Sequence, residues 1–162
     1  MSVSVTYGST LSVVETLTGN AVAASDKNVS HTLYNSTVSL TAATTPPATL
    51  VACFEKALAA GVATIDLTAL SGTNGIVVDG TGLRVQMMKI RNKSTNANPI
   101  TISFGAATPY DGFGAAFNLT LVPGAEALLR TIDAGSNIGA GCKHLDLAGT
   151  LAQVLEVEIV LG

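Results

Sequence analysis

At 162 residues, with 48% hydrophobic and only 12% charged side chains, the chain combines too much apolar surface with too little charge for intrinsic disorder, and its length suits one domain with a sizeable core. Eight Lys and Arg against eleven Asp and Glu leave a net charge of -3, with basic residues scattered except around Arg84 to Lys93, so the clustered positive charge of a nucleic-acid binder is missing. The longest apolar stretch, residues 50–58, is broken by Glu55 and Lys56 and falls far short of the roughly 20 residues that cross a bilayer. The first residues lack the basic and apolar regions of a secretory leader, which predicts synthesis in a cytoplasm.

Period-two alternation dominates the chain and predicts strands half buried against a core. Near the start, residues 3–6 and 11–17 are rich in Val, Thr and Leu, and residues 38–41 add a short run that Thr45-Pro-Pro47 stops. Residues 50–60 read two ways. Leu50, Phe54 and Leu58 recur at helical spacing behind Thr49 as a cap; alternatively, Ala59-Ala60-Gly61 is a tight turn between two antiparallel strands, and the hairpin is the favoured reading. Residues 85–92 are β-prone and lie between Asp79-Gly-Thr-Gly82 and the polar run 92–98. Ile100, Ile102 and Phe104 share one side of a strand that starts directly after Pro99. Residues 117–121 alternate likewise, and Pro123-Gly124 predicts a hairpin into residues 126–132. In the last run Leu155, Val157, Ile159 and Leu161 share a face, with Glu156 and Glu158 opposite.

These signals predict a single all-β domain over residues 1–162. The expected fold is an antiparallel β-sandwich, jelly-roll-like, with nine or ten short strands and at most one short helix. Thr64-Ile-Asp-Leu67 and His144-Leu-Asp-Leu147 echo one another, as equivalent strand positions within one sandwich would.

Little in the sequence points to catalysis. Cys142, His144 and Asp146 would share a strand face, but no fourth metal ligand accompanies them, and a polar outer face is the simpler reading. His31 pairs with no nucleophile, GxSxG is absent, and no phosphate-binding glycine motif occurs. Asp79-Gly-Thr-Gly82 lacks the further carboxylates of a calcium loop and reads as a turn. No catalytic, cofactor-binding or metal-binding residue is therefore assigned. Cys53 and Cys142 lie 89 positions apart and read as two buried, reduced thiols, with a structural disulfide between them as the alternative that geometry decides. The N-x-[ST] triplets at Asn28, Asn35, Asn92 and Asn118 carry no weight without a secretory signal. Tyr7, Tyr34 and Tyr110 offer a meagre platform for stacking a sugar.

Several stretches carry a resemblance: Pro46-Pro-Ala-Thr49, Ala63-Thr-Ile-Asp-Leu-Thr-Ala-Leu-Ser-Gly-Thr-Asn-Gly75, Val78-Asp-Gly-Thr-Gly-Leu83, Asn96-Ala-Asn-Pro-Ile-Thr-Ile102, Val122-Pro-Gly124 and Leu145-Asp-Leu-Ala-Gly149. Over residues 30–162 the chain resembles small structural proteins of tailed bacteriophages and prophages. That resemblance implies a non-enzymatic virion component, present in many copies, such as a capsid decoration or cement protein. Its implied partners are copies of itself, for example as a trimer, and the major capsid protein, with neither nucleic acid nor membrane. Residues 1–17, β-prone and poor in charge, are the expected docking arm. A tail or head-fibre component and a carbohydrate-binding β-sandwich module are the alternatives.

Overall fold

The computed structural model describes residues 3–9, 12–16, 28–32, 36–72, 75–131 and 135–162, and among them it holds fourteen strands and no helix. In chain order these are β1 (Ser4–Ser9), β2 (Ser12–Thr16), β3 (Asn28–Thr32), β4 (Ser36–Thr41), β5 (Leu50–Ala57), β6 (Val62–Asp66) and β7 (Leu70–Ser71), followed by β8 (Val77–Val78), β9 (Val85–Asn92), β10 (Ile100–Phe104), β11 (Asn118–Leu121), β12 (Glu126–Arg130), β13 (His144–Ala148) and β14 (Val154–Leu161). Eight of them build two four-stranded antiparallel sheets, ordered β12-β9-β14-β5 and β11-β10-β13-β6. The other six form the two-stranded ribbons β1-β4, β2-β3 and β7-β8, so the nine or ten expected strands become eight in the sheets and six beside them. Residues 50–57 are strand throughout, which settles the helical alternative.

The pairings are nested. β10 pairs with β11, β9 with β12, β6 with β13 and β5 with β14. The chain is thus one long antiparallel ribbon, doubled back at the connection between β10 and β11. Two further pairings, β9 with β14 and β10 with β13, roll that ribbon into facing layers.

Both expected hairpins are corrected by this arrangement. Their turns form: Ala125 N–H donates to the Val122 carbonyl at 3.0 Å around Gly124 at φ 80°, and Ala59 bridges Val62 around Ala60 and Gly61 at φ 51° and 84°. The strands on either side do not pair, because β5 and β12 enter one sheet while β6 and β11 enter the other. The cause is apolar. Leu119 and Leu121 on β11, and Ala127 and Leu129 on β12, pack into the same core, and crossing between layers turns these faces toward one another.

Between the sheets lie Ile65, Leu67, Met88, Ile90, Ile100, Ile102, Leu145, Leu147, Leu155, Val157, Ile159 and Leu161, all buried. The C-terminal alternation holds, with Glu156 and Glu158 outside. The sequence echo also finds its cause: β6 and β13 are neighbours, with Ile65 opposite Leu145 and both buried. A second, smaller core lies on the outer face of the β12-β9-β14-β5 sheet, where Val3, Val5, Tyr7, Val38 and Leu40 from the β1-β4 ribbon cover Met87 and Val160.

The register places four connections, residues 58–61, 93–99, 122–125 and 149–153, at the same end of both sheets. Two buried amides, Asn92 and Gln153, and the half-buried Asn96 tie them together. Asn92, fully buried, donates from Nδ2 to the carbonyls of Leu121 (2.8 Å) and Asn98 (3.1 Å). Asn96 Nδ2 donates to Asn92 Oδ1 and to the Val154 carbonyl (2.6 and 2.7 Å), and Val154 N–H returns to Asn96 Oδ1 at 3.1 Å. Gln153, 3% exposed, donates to the Asn98 carbonyl and accepts from Thr150 N–H at 2.5 Å, while its own carbonyl accepts from Leu58 N–H at 2.8 Å. Each such amide is satisfied inside the protein, and a satisfied buried network rigidifies what it joins.

Candidate functional site

Strand geometry sends alternate residues outward, so the outer face of the β12-β9-β14-β5 sheet can be read row by row from its register. One row runs Glu55, Glu156, Arg91, Glu126; the next Cys53, Glu158, Lys89, Leu128; the third Val51, Val160, Met87, Arg130. The third row is partly roofed by the β1-β4 ribbon, whose Tyr7 ring lies under the Arg130 guanidinium at 5.2 Å. The first two rows remain open and line a depression of about 390 Å³.

Its charges are mutually engaged. Arg91 Nε donates to Glu156, Lys93 Nζ to Glu55 at 2.6 Å, and Lys89 faces Glu126 at 3.7 Å. The Glu156 hydrogen bond raises the Arg91 guanidinium above its usual range, and the same contact lowers the Glu156 carboxyl. Opposite charges directly across strands, Arg91 with Glu156 and Lys89 with Glu158, support the pairing of the sheet, and with Glu55, Glu126, Glu156 and Glu158 set against Arg91, Lys89 and the flanking Lys93 the trough is polar with an acidic excess.

On the other sheet, β6 and β13 hold a cluster around His144. Asp66 Oδ2 accepts from Lys143 Nζ at 2.7 Å and lies 3.3 Å from His144 Nε2. On its other side His144 Nδ1 sits 2.9 Å from both the Thr108 hydroxyl and the Ala107 carbonyl. Partial burial pushes the Asp66 carboxyl up, but Lys143, Thr68 and His144 together hold it well below the usual carboxylate range. With a hydroxyl and a carbonyl at one ring nitrogen and a carboxylate at the other, the imidazole fastens residues 105–109 to β6 and β13. Asp146 makes a parallel fastening, accepting from Thr64 Oγ1 and Ala106 N–H, each at 2.8 Å.

The candidate trio Cys142, His144 and Asp146 is separated by these contacts. Cys142 turns to Asp111, with Sγ 3.5 Å from Oδ1, and Asp111 is already held by Ser136 N–H at 2.7 Å. Among the described residues no group of three His, Cys, Asp or Glu is placed to share a metal ion. Both cysteines are free, and Cys53 corrects the sequence reading: it is exposed, on the outer face of β5 beside Glu158. The three tyrosines make no common platform, since Tyr110 is fully buried with its hydroxyl accepting from Val85 N–H at 2.9 Å, and Tyr34 lies outside the described residues. His31 sits in β3 opposite Val13. Residues 79–82 form the expected turn, with Asp79 Oδ1 accepting from Thr81 N–H at 2.9 Å.

Of the arm at residues 1–17, β1 pairs with β4 of the same chain and β2 with β3. The buried pair Asn92 and Gln153 escaped sequence reading, because a polar residue at a strand end looks the same whether it faces water or closes a network.

No protein-family model matches the chain, and a comparison with curated proteins returns no match.

Proposed function

We propose that the chain is a non-enzymatic structural protein of a tailed-phage particle, most simply a capsid decoration protein that assembles as a homo-oligomer on the shell. The observation that carries this reading is the nested strand pairing. A doubled ribbon rolled into the orders β12-β9-β14-β5 and β11-β10-β13-β6 is read here as a jelly roll, an architecture used by viral capsid and lectin domains. The sequence resemblance to phage structural proteins favours the capsid among these. The polar side chains agree with it, since carboxylates, imidazole and amides serve as fasteners between strands and loops. On this reading the chain is made in the bacterial cytoplasm and ends in the virion, and its grip on the major capsid protein comes from many weak contacts summed over neighbouring copies.

Quantitative mass spectrometry of purified particles tests the proposal: one copy per repeating lattice position is the expected result, whereas a few copies at a single vertex point to a tail or fibre. Specific glycan binding by the isolated domain overturns the decoration reading in favour of a carbohydrate module. Deleting residues 1–17 is expected to weaken particle binding while the far-ultraviolet β signature persists; undiminished binding removes the arm from the docking surface.

A further inference from the structure

β12 is the outermost strand of its sheet, and the register shows which of its backbone groups are engaged. Asn92 N–H donates to the Ala125 carbonyl at 3.0 Å and Thr131 N–H to the Gln86 carbonyl at 3.1 Å, one at each end of the ladder between β9 and β12. Hydrogen-bonded pairs recur at every second residue of an antiparallel ladder, so Ala127 and Leu129 also turn their N–H and C=O groups to β9. Those of Glu126, Leu128 and Arg130 point away from the sheet, and among the described residues no strand pairs with β12 on that side. The same three residues carry their side chains on the outer face, where Leu128 is 42% exposed.

Along this edge the outer side chains read acid, apolar, base. Turned about a two-fold axis at Leu128, the strand meets itself antiparallel with Glu126 opposite Arg130 on both sides of the axis and Leu128 opposite Leu128. The backbone agrees with the side chains. In that register the three facing pairs are all of the hydrogen-bonded kind, which gives about six bonds at two per pair. On the inner face Ala127 comes opposite Leu129, small against large. Both charges are available for the contact. Arg130 lies over the Tyr7 ring at 5.2 Å and meets no carboxylate among the described residues, and Glu126 has a loose contact with Lys89 at 3.7 Å, with both side chains about half exposed. A slip of two residues takes each charge away from its opposite, and an in-register parallel alignment sets like charges side by side, which destabilises a strand pair.

We infer that the free edge of β12 pairs antiparallel with β12 of a second copy of this chain, about a two-fold axis at Leu128, joining two sheets into one continuous sheet. The argument for the occupant is self-complementarity. A two-fold contact requires that the surface fit itself, residue i meeting j and j meeting i, and a strand that meets a different partner has no need of that reciprocity. The other edge strands lack it. β6 and β11 carry no basic residue, and in β5 Glu55 and Lys56 are adjacent and so lie on opposite faces. Pairing also withdraws from water both Leu128 and a row of open backbone groups, the part of a sheet that otherwise invites uncontrolled association. The inference deepens the proposed homo-oligomer by naming one of its interfaces, and in that sense rests on it.

The test weighs the full chain in solution by light scattering over a concentration series, beside Glu126→Arg, Arg130→Glu and Leu128→Asp. Wild type is expected to reach twice 16.3 kDa. Each charge reversal turns two attractive cross-strand pairs into repulsive ones and is expected to weaken self-association at least about tenfold. Leu128→Asp sets two carboxylates on the axis and is expected to give the 16.3 kDa monomer with an unchanged β spectrum. Mixing Glu126→Arg with Arg130→Glu is expected to restore the dimer, because each copy then meets its opposite, and the double variant Glu126→Arg/Arg130→Glu is expected to dimerise by itself. Failure of both the mixture and the double variant to associate overturns the reciprocal pairing. An oligomer that survives all three single substitutions overturns this edge and leaves the proposed homo-oligomer standing. A wild-type chain that stays at 16.3 kDa throughout overturns the edge and self-assembly in solution together, while the copy number on particles decides the decoration reading separately.

Discussion

Tyr110 shows how a single polar atom is accommodated in the core. Its ring is fully buried and its hydroxyl accepts from the Val85 amide, so Tyr110→Phe strands a buried N–H donor. The expected cost is about 2 kcal/mol, read as a fall in Tm of about 4–8 °C by calorimetry. Burial pushes the Tyr110 hydroxyl up to about 12. Between pH 10 and 12 the unfolded chain therefore releases this proton while the folded chain retains it, and stability declines as pH rises through that window. Urea midpoints measured across it should fall less steeply for Tyr110→Phe than for wild type. Asp66 behaves oppositely: its carboxyl is held low by Lys143, Thr68 and His144 against the upward push of burial, so its share of stability is present above about pH 4 and is lost on acidification.

Among the elements, the turn between β5 and β6 is tightly constrained. Ala60 and Gly61 both take positive φ, and a Cβ on Gly61 would lie 2.7 Å from the Gly149 carbonyl oxygen. Gly61→Ala should lower the unfolding free energy by about 2 kcal/mol through backbone strain and that clash. Ala60→Gly should change it by less than about 0.5 kcal/mol, since relief of strain and loss of backbone restriction offset one another. This turn also shows the reach of sequence reading. Ala59-Ala60-Gly61 announced a reversal, and the alternation in β14 announced which side chains are buried, because both depend on neighbours along the chain. Strand partners did not follow, since a period of two fixes the face a residue occupies and says nothing of which strand lies beside it. Cys53 was legible in principle: it alternates with buried Ala52 and half-buried Phe54, but the usual burial of a free cysteine outweighed that alternation. The Asn92, Asn96 and Gln153 network was beyond reach, because the four connections it ties together are scattered over about a hundred positions and meet only through the fold.

For the molecule as a whole, β14 is the strand on which closure depends. It lies between β9 and β5 and supplies Leu155, Val157, Ile159 and Leu161 to the core. A chain stopped after Gln153 should lose cooperative unfolding and be digested by protease under conditions in which the full chain resists. A cooperative thermal transition in that truncated chain would show the remaining strands to be self-sufficient. The nesting also sets a timetable for synthesis. Half of the ribbon, from β5 to β10, leaves the ribosome before any of its partners exist, and matching then proceeds backwards: β11 finds β10, β12 finds β9, β13 finds β6, and β14 reaches β5 last. The earliest strand to emerge in the sheets is the one that waits longest, so during translation it is β5, with Val51 and Cys53 on its outer side, that stands most in need of a chaperone's cover.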